Sequence, residues 1–200
     1  MSRSVELFLA SILFVVTLPF EAITWLLIRW RIGDPVFFRQ ARAGRGARPF
    51  TIVKFRTMTD ARGPDGVLLP DDERQIPLSR LIRRLRLDEL PQLLLILRGD
   101  MALVGPRPLL PATIAGFGEA GLKRCRVAPG LTGWAQVSGN TRLGDSEKLA
   151  LDLWYVDHRS TLLDLRILAE TLLVALRGEH PRPERLSAAQ RWLAAQGVPA

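Results

Sequence analysis

The chain has 200 residues, 48% of them apolar and 24% charged, with a formal charge of +8; that is room for one domain with a real core and too little for two. All but Lys54, Lys123 and Lys148 of its 28 basic residues are arginine, a planar cation suited to phosphate or an anionic membrane surface, although a GC-rich genome would produce the same bias. Cys125 is the only cysteine, so no intrachain disulfide forms, and His158 and His180 are the only histidines, which argues against a histidine zinc site or a Ser-His-Asp engine. With no G-x-S-x-G and no Walker loop, the options narrow to carboxylates, arginines and a hard metal ion.

Residues 5–28, "VELFLASILFVVTLPFEAITWLLI", form an apolar run long enough for a bilayer, where about 20 residues suffice. It lacks a small-residue cleavage site and carries Glu21 late, unlike a secretory signal. Pro19 predicts a break or kink near the middle, and Thr17 offers a hydroxyl to a freed carbonyl. Arg3 before the run and Arg29 and Arg31 after it give no orientation by the positive-inside rule, so a kinked spanning anchor and a bent helix with both ends on one face stay open.

Residues 34–58 predict a β-hairpin around a basic, Gly-containing turn, with Phe50, Ile52 and Lys54 on one face and Thr51, Val53 and Phe55 on the other. The polar 59–75 stretch reads as a loop. "PLSRLIRRLRL" (77–87) places Leu78, Leu81, Ile82 and Leu85 at helical spacing among arginines, a basic amphipathic helix fit for a membrane surface or an ordinary solvated face. "DELPQLLLILRG" (88–99) predicts a new helix with Asp88 as N-cap, Pro91 in its first turn and Gly99 as its stop. Residues 160–178 form an interfacial or core helix, and 179–200 are a tail with a short appended helix.

Asp88 and Glu89 stand between Arg83 and Arg84 on one side and Arg107 on the other. As a cap, Asp88 needs no catalytic role. The same position keeps a carboxylate ionised and attracts phosphate. Two carboxylates facing a diphosphate favour Mg²⁺, held by Asp88 and Glu89. In "GPRP" the flanking prolines stiffen Arg107, a preorganised cation of the kind phosphoryl transfer needs.

"KFRTM" (54–58), "LDELPQL" (87–93), "GDMALVGPRPLL" (99–110), "PGLTGWAQVSG" (129–139) and "WYVDHRSTLLDLRI" (154–167) together resemble, in order and spacing, the bacterial sugar transferases, the monotopic polyprenyl-phosphate glycosyl-1-phosphate transferases. The resemblance covers about residues 5–178. It implies an α+β, mainly helical domain over 1–200: a re-entrant membrane helix hairpin at about 5–30 broken at Pro19, a catalytic part at 31–178 with a small β-hairpin, and interfacial amphipathic helices around a cytoplasmic active site. It implies transfer of a sugar 1-phosphate from a UDP-sugar to undecaprenyl phosphate at the cytoplasmic face of the bacterial inner membrane. UMP leaves, Mg²⁺ is the cofactor, and the step initiates exopolysaccharide, capsule, O-antigen or glycoprotein synthesis. Asp88 is then the nucleophile of a phosphosugar-aspartyl intermediate, with Glu89 assisting. Arg107, Lys54, Arg56 and Arg83 bind phosphate, and Gln136 and Thr132 shape the nucleotide or sugar pocket. This sequence departs from the family in Leu18-Pro19 for Ser-Pro, in Ser138-Gly139-Asn140 for Asn-Gly-Arg, and in Val5-Glu6 for Phe-Asp. A membrane-anchored phosphate-binding adaptor without turnover is the alternative. A nucleic-acid binder is not expected, because aromatics do not interleave a basic face.

Overall fold

A computed structural model describes residues 1–196; the rest of the expected tail, 197–200, lies outside the described residues. The fold is α+β and mainly helical. Helix α1 (Arg3–Arg31) leads into an antiparallel hairpin, β1 (Phe37–Ala43) and β2 (Pro49–Phe55). Then come α2 (Pro77–Arg84), a 3-10 turn (Leu87–Gln92), α3 (Leu93–Arg98), β3 (Ala102–Val104), α4 (Pro111–Gly116) and α5 (Gly118–Arg124). The chain continues with β4 (Gly130–Thr132), α6 (Trp134–Val137), α7 (Asp145–His158), α8 (Thr161–Arg177) and α9 (Pro183–Ala195).

Helix α1 starts on the Ser2 cap and ends on Arg29 and Arg31, charges that suit its dipole. At 29 residues it is about 43 Å long. The backbone stays helical through Pro19, because the bonds on either side bridge the single donor the proline removes. Thr17 does not serve the carbonyl that Pro19 frees, that of Val15; its hydroxyl donates to Leu13 O at 2.8 Å and Phe14 O at 3.2 Å. Phe8, Val15 and Leu26 are 65%, 64% and 60% exposed, an apolar surface with no protein against it. The helix is long and apolar enough to cross a membrane, and this surface is of the kind a bilayer covers.

Both ends of α1 nonetheless meet the same body. At the start, the Met1 amine pairs with Asp164 at 2.7 Å, Arg3 donates to Ile96 O, and Glu6 accepts from Leu103 N. At the finish, Ile28 packs with Val36, Phe55 and Ile82. Strand β2 is therefore buried on both faces, with Ile52 in the main core and Phe55 in this smaller cluster. Alternation along the strand could not reveal that second burial.

The main core joins Leu93 and Ile96 of α3, Leu103 of β3, Leu151 and Leu153 of α7 and Ile167 of α8. Strands β3 and β4 form a parallel pair that the sequence reading did not anticipate. A Cβ on Gly130 would fall 2.1 Å from Gly105 N, so the two backbones approach to a distance only glycine permits. Helix α9 docks on α7 through Ala189 and Leu193, both buried. An aromatic stack, Trp134 on Trp154 and Trp154 on His158, with Trp192 edge-on, continues the contact, and Arg185 lies 4.1 Å over the Trp134 ring. Trp134 is a packing residue.

Candidate active site

The acidic pair sits in the 3-10 turn, not at the start of an α-helix. Arg86 precedes it in the left-handed region (φ 55°), and Glu89 N bonds back to Arg86 O. Pro91 is compatible with either kind of first turn; with Arg86 left-handed the chain takes the 3-10 form, and the α-helix begins only at Leu93. Asp88 is thus inside the turn and caps nothing beyond its own amide. Gly99 ends α3 in the left-handed conformation, as its position in the sequence suggests.

The two carboxylates have opposite surroundings. Glu89 is 6% exposed, and its Oε1 accepts from Lys54 Nζ at 2.7 Å and Arg107 at 2.5 Å, while Arg86 lies 3.6 Å from Oε2. Burial alone would raise its pKa, but the charges of Arg107 and Lys54 outweigh burial and hold it well below the usual carboxylate range. Asp88 is half-buried and has no ion-pair partner among the described residues. Burial first, then the negative charge of Glu89, push its pKa up to about 6 against the pull of Lys54 and Arg83. Paired sites driven apart in this way are how one fold assigns different roles to adjacent acids.

The cations are anchored from behind. Burial draws the Lys54 pKa down, against Glu89. For Arg107 burial acts the same way, but Glu89 overrides it and the pKa rises. Arg107 follows β3, whose end is fixed by the Gly105–Gly130 approach. Its carbonyl accepts from Arg124, and Arg124 forms a buried pair with Asp152, at 2.8 Å from Nε. Arg124 and Asp152 are 4% and 3% exposed.

The remaining expected site residues divide. Arg83 is exposed in the last turn of α2, on the side that acts on Asp88. Arg56 is engaged elsewhere, donating to the carbonyls of Ile32, Gly33 and Asp34 and pairing with Asp60 at 2.8 Å, so it straps the turn after α1. Gln136 is buried, donates to Leu131 O at 3.0 Å and keeps an Oε1 with no partner. Thr132 shares a hydrogen bond with Thr171 of α8 at 2.7 Å. Sequence reasoning missed Arg86, Arg124, Asp152 and Glu179; only Arg86, at i, i+3 to Glu89, left a local signal.

Cavities lie beside Arg107 and Glu89. One of about 300 Å³ has a mixed lining, with Arg107, Gln136, Asn140 and Thr141 on its polar side and Leu109 and Phe117 on its apolar side. An apolar one of about 230 Å³ lies between Leu13 of α1, Leu168 and Leu172 of α8, and Arg86 and Glu89 of the turn. Anchored cations, a free carboxylate and adjoining mixed and apolar hollows suit a diphosphate whose substituents differ in character.

Residues 1–178 match the family described as Bacterial sugar transferase. The chain is 46% identical to the Bacillus subtilis (strain 168) protein named "Uncharacterized sugar transferase EpsL", over 90% of this chain and 89% of that one. It is 32% identical to the exopolysaccharide production protein ExoY of Sinorhizobium fredii, over 85% of this chain and 83% of that one. It is also 39% identical to the undecaprenyl-phosphate glucose phosphotransferase of Komagataeibacter xylinus, over 85% of this chain but only 35% of that longer protein. With the match running through the turn, both strands of the hairpin and α8, this chain belongs to the bacterial sugar transferase family.

Proposed function

We propose that the chain transfers a sugar 1-phosphate from a UDP-sugar to undecaprenyl phosphate at the cytoplasmic face of the bacterial inner membrane, in two steps through Asp88. The observation that carries this reading is the asymmetry of the dyad. Glu89 is consumed by Lys54 and Arg107, while Asp88 is free, ionised at neutral pH and more basic than an ordinary aspartate. Supporting it, the relatives include a protein named undecaprenyl-phosphate glucose phosphotransferase and another named UDP-glucose:undecaprenyl-phosphate glucose-1-phosphate transferase.

In the first step an Asp88 carboxylate oxygen attacks the β-phosphorus of the donor. The new P–O bond forms as the bond to the bridging oxygen breaks, and UMP leaves with that oxygen. In the second, a phosphate oxygen of the acceptor attacks the same phosphorus and displaces Asp88, restoring the carboxylate. Neither step requires a proton from Glu89, whose depressed pKa suits it to holding Lys54 and Arg107 rather than accepting protons. Those cations face the charge that develops on the phosphoryl oxygens. Mg²⁺ would be held by Asp88, the carboxylate left without a cation, together with the phosphates of the substrate, since Glu89 is taken up by Lys54 and Arg107. When bound it supplies further neutralisation of the diphosphate.

The mixed cavity beside Arg107 suits the donor, and the apolar one between α1 and α8 suits the first isoprene units of the acceptor. Both ends of α1 meet the same body, as a re-entrant course requires. Leu162, Leu172 and Leu176 of α8, 79%, 68% and 82% exposed, suit an interfacial helix beside it.

The test is UMP release by detergent-purified protein from a panel of UDP-sugars with Mg²⁺ and undecaprenyl phosphate. Release with a particular sugar, lost in Asp88→Asn, is expected. No release from any donor would favour a binding role instead.

A further inference from the structure

Beyond the 178 residues that match the family, the chain continues into the site. Glu179, the second residue after α8, lies between two elements of the active centre. Its carboxylate accepts from Arg86 at 2.9 Å, from the Asn140 side chain, and from both the amide (3.1 Å) and the hydroxyl of Thr141. Arg86 is the residue that also faces Glu89, and Asn140 and Thr141 line the mixed cavity beside Arg107. Arg86 (φ 55°) and Asn140 (φ 43°) both hold the left-handed conformation, which side chains other than glycine rarely adopt unless their surroundings fix them. Glu179 ties the two together.

The following segment keeps Glu179 in place. Arg182 N bonds to Ser138 O at 3.0 Å, and Pro181 sits against Gly139. Arg185 forms a paired contact with Glu170 at 2.7 and 2.8 Å and covers Trp134. The turn at 138–142 is therefore enclosed on its outer side by residues 179–185. The same turn is where this sequence reads Ser138-Gly139-Asn140. Gln136, which lines both the cavity beside Arg107 and the apolar one, keeps a buried Oε1 without a partner.

We propose that residues 179–185 brace, from outside, the turn that lines the donor cavity, with Glu179 the positioning residue that sets the 139–142 turn against a nucleoside-diphosphate sugar. The inference rests on the transferase reading for the identity of the ligand. Glu179 lines neither cavity itself; it holds Asn140 and Thr141 of the donor cavity through both carboxylate oxygens and meets the apolar cavity only through Arg86, so its main effect falls on donor binding.

The experiment compares the full-length protein with Glu179→Gln and Glu179→Ala, by steady-state UMP release and by equilibrium titration with UDP as probe. Glu179→Gln keeps the shape and a carbonyl acceptor for Thr141 but loses the ionic contact to Arg86. The expected result is a donor KM and a UDP Kd raised about tenfold in Glu179→Ala and less in Glu179→Gln, with kcat and acceptor KM changed less than about twofold. Unchanged donor KM and UDP Kd in both variants would overturn the proposal. So would a fall in kcat with donor KM unchanged, which marks a purely structural part. If the unsubstituted protein releases no UMP from any donor, the transferase reading fails, and the UDP titration alone decides the role of Glu179: tighter binding by the unsubstituted protein supports it, and equal or absent binding overturns it.

Discussion

Asp88 and Glu89 are consecutive residues of one 3-10 turn, and only Glu89 is paired: Lys54 and Arg107 share its Oε1 while Asp88 has no cation within ion-pair distance among the described residues. The turn thus separates a carboxylate that organises charge from one that can react.

The unpaired member carries a stability cost. With its pKa raised from 3.8 to about 6, Asp88 is protonated in the fold over a range where the unfolded chain is ionised, so its contribution to stability is favourable in acid and declines as pH rises from about 4 to 6. After allowance for solvent screening, the charged form costs about 1–2 kcal/mol at neutral pH. Asp88→Asn is expected to raise the unfolding free energy by that amount while lowering UMP release about 10³-fold or more. Chemical denaturation beside the activity assay checks both.

The same pKa shapes the pH–rate profile. In the proposed mechanism only ionised Asp88 attacks, so kcat/KM for the donor is expected to fall with unit slope below about pH 6. Glu89 moves oppositely in stability. Its pKa is depressed, so its contribution is full above 4.5 and is lost as pH falls below that value. Glu89→Gln leaves the half-buried Lys54 and Arg107 with a neutral partner and, after allowance for solvent screening, is expected to cost about 1–3 kcal/mol. Urea titrations at pH 7 and pH 4 separate the two acids.

Arg124 and Asp152 anchor Arg107 through its carbonyl. Removing either alone strands a buried charge, so Arg124→Met and Asp152→Leu are each expected to cost about 3–5 kcal/mol. The double variant should recover most of that stability but not activity. Arg107 would still lack its anchor, and a displacement of about 1 Å in a positioned group can cost about 10²-fold in rate. A double-mutant cycle in stability and kcat/KM measures both terms.

For α1, a re-entrant course places Ser2 and Asp34, both exposed, on one face of the membrane. Single cysteines at these positions in a Cys125→Ser background should both react with an impermeant maleimide in cytoplasm-out vesicles and neither in vesicles of the opposite orientation. Labelling from opposite faces would make α1 a spanning helix.

Much of this arrangement was legible in order along the chain. The hairpin, the polar stretch after it, the Gly99 stop and the Ser160-to-Gly178 helix each carry local chemistry that acts within a few residues. The dyad was legible from its motif, but its backbone was not. A first-turn proline suits an α-helix and a 3-10 turn equally, and the left-handed Arg86 that decides between them is held by distant partners. The β3–β4 pair is too short for any period to show, and its Gly105–Gly130 approach exists only after folding. Arg56 reads as one more cation beside Lys54, yet the hairpin ends so that its guanidinium meets the 32–34 carbonyls instead. Arg124–Asp152 and Glu179 join residues far apart in sequence, where single-sequence reasoning has no purchase.

The covalent step through Asp88 is tested most directly by intact-mass measurement of the protein after incubation with its UDP-sugar and Mg²⁺, without acceptor. The expected result is a single phosphosugar adduct per chain, equal in amount to the UMP released, located on the peptide containing Asp88, absent in Asp88→Asn, and discharged on adding undecaprenyl phosphate. UMP release that requires the acceptor and leaves no adduct, or an adduct that persists in Asp88→Asn, would contradict the role assigned to Asp88.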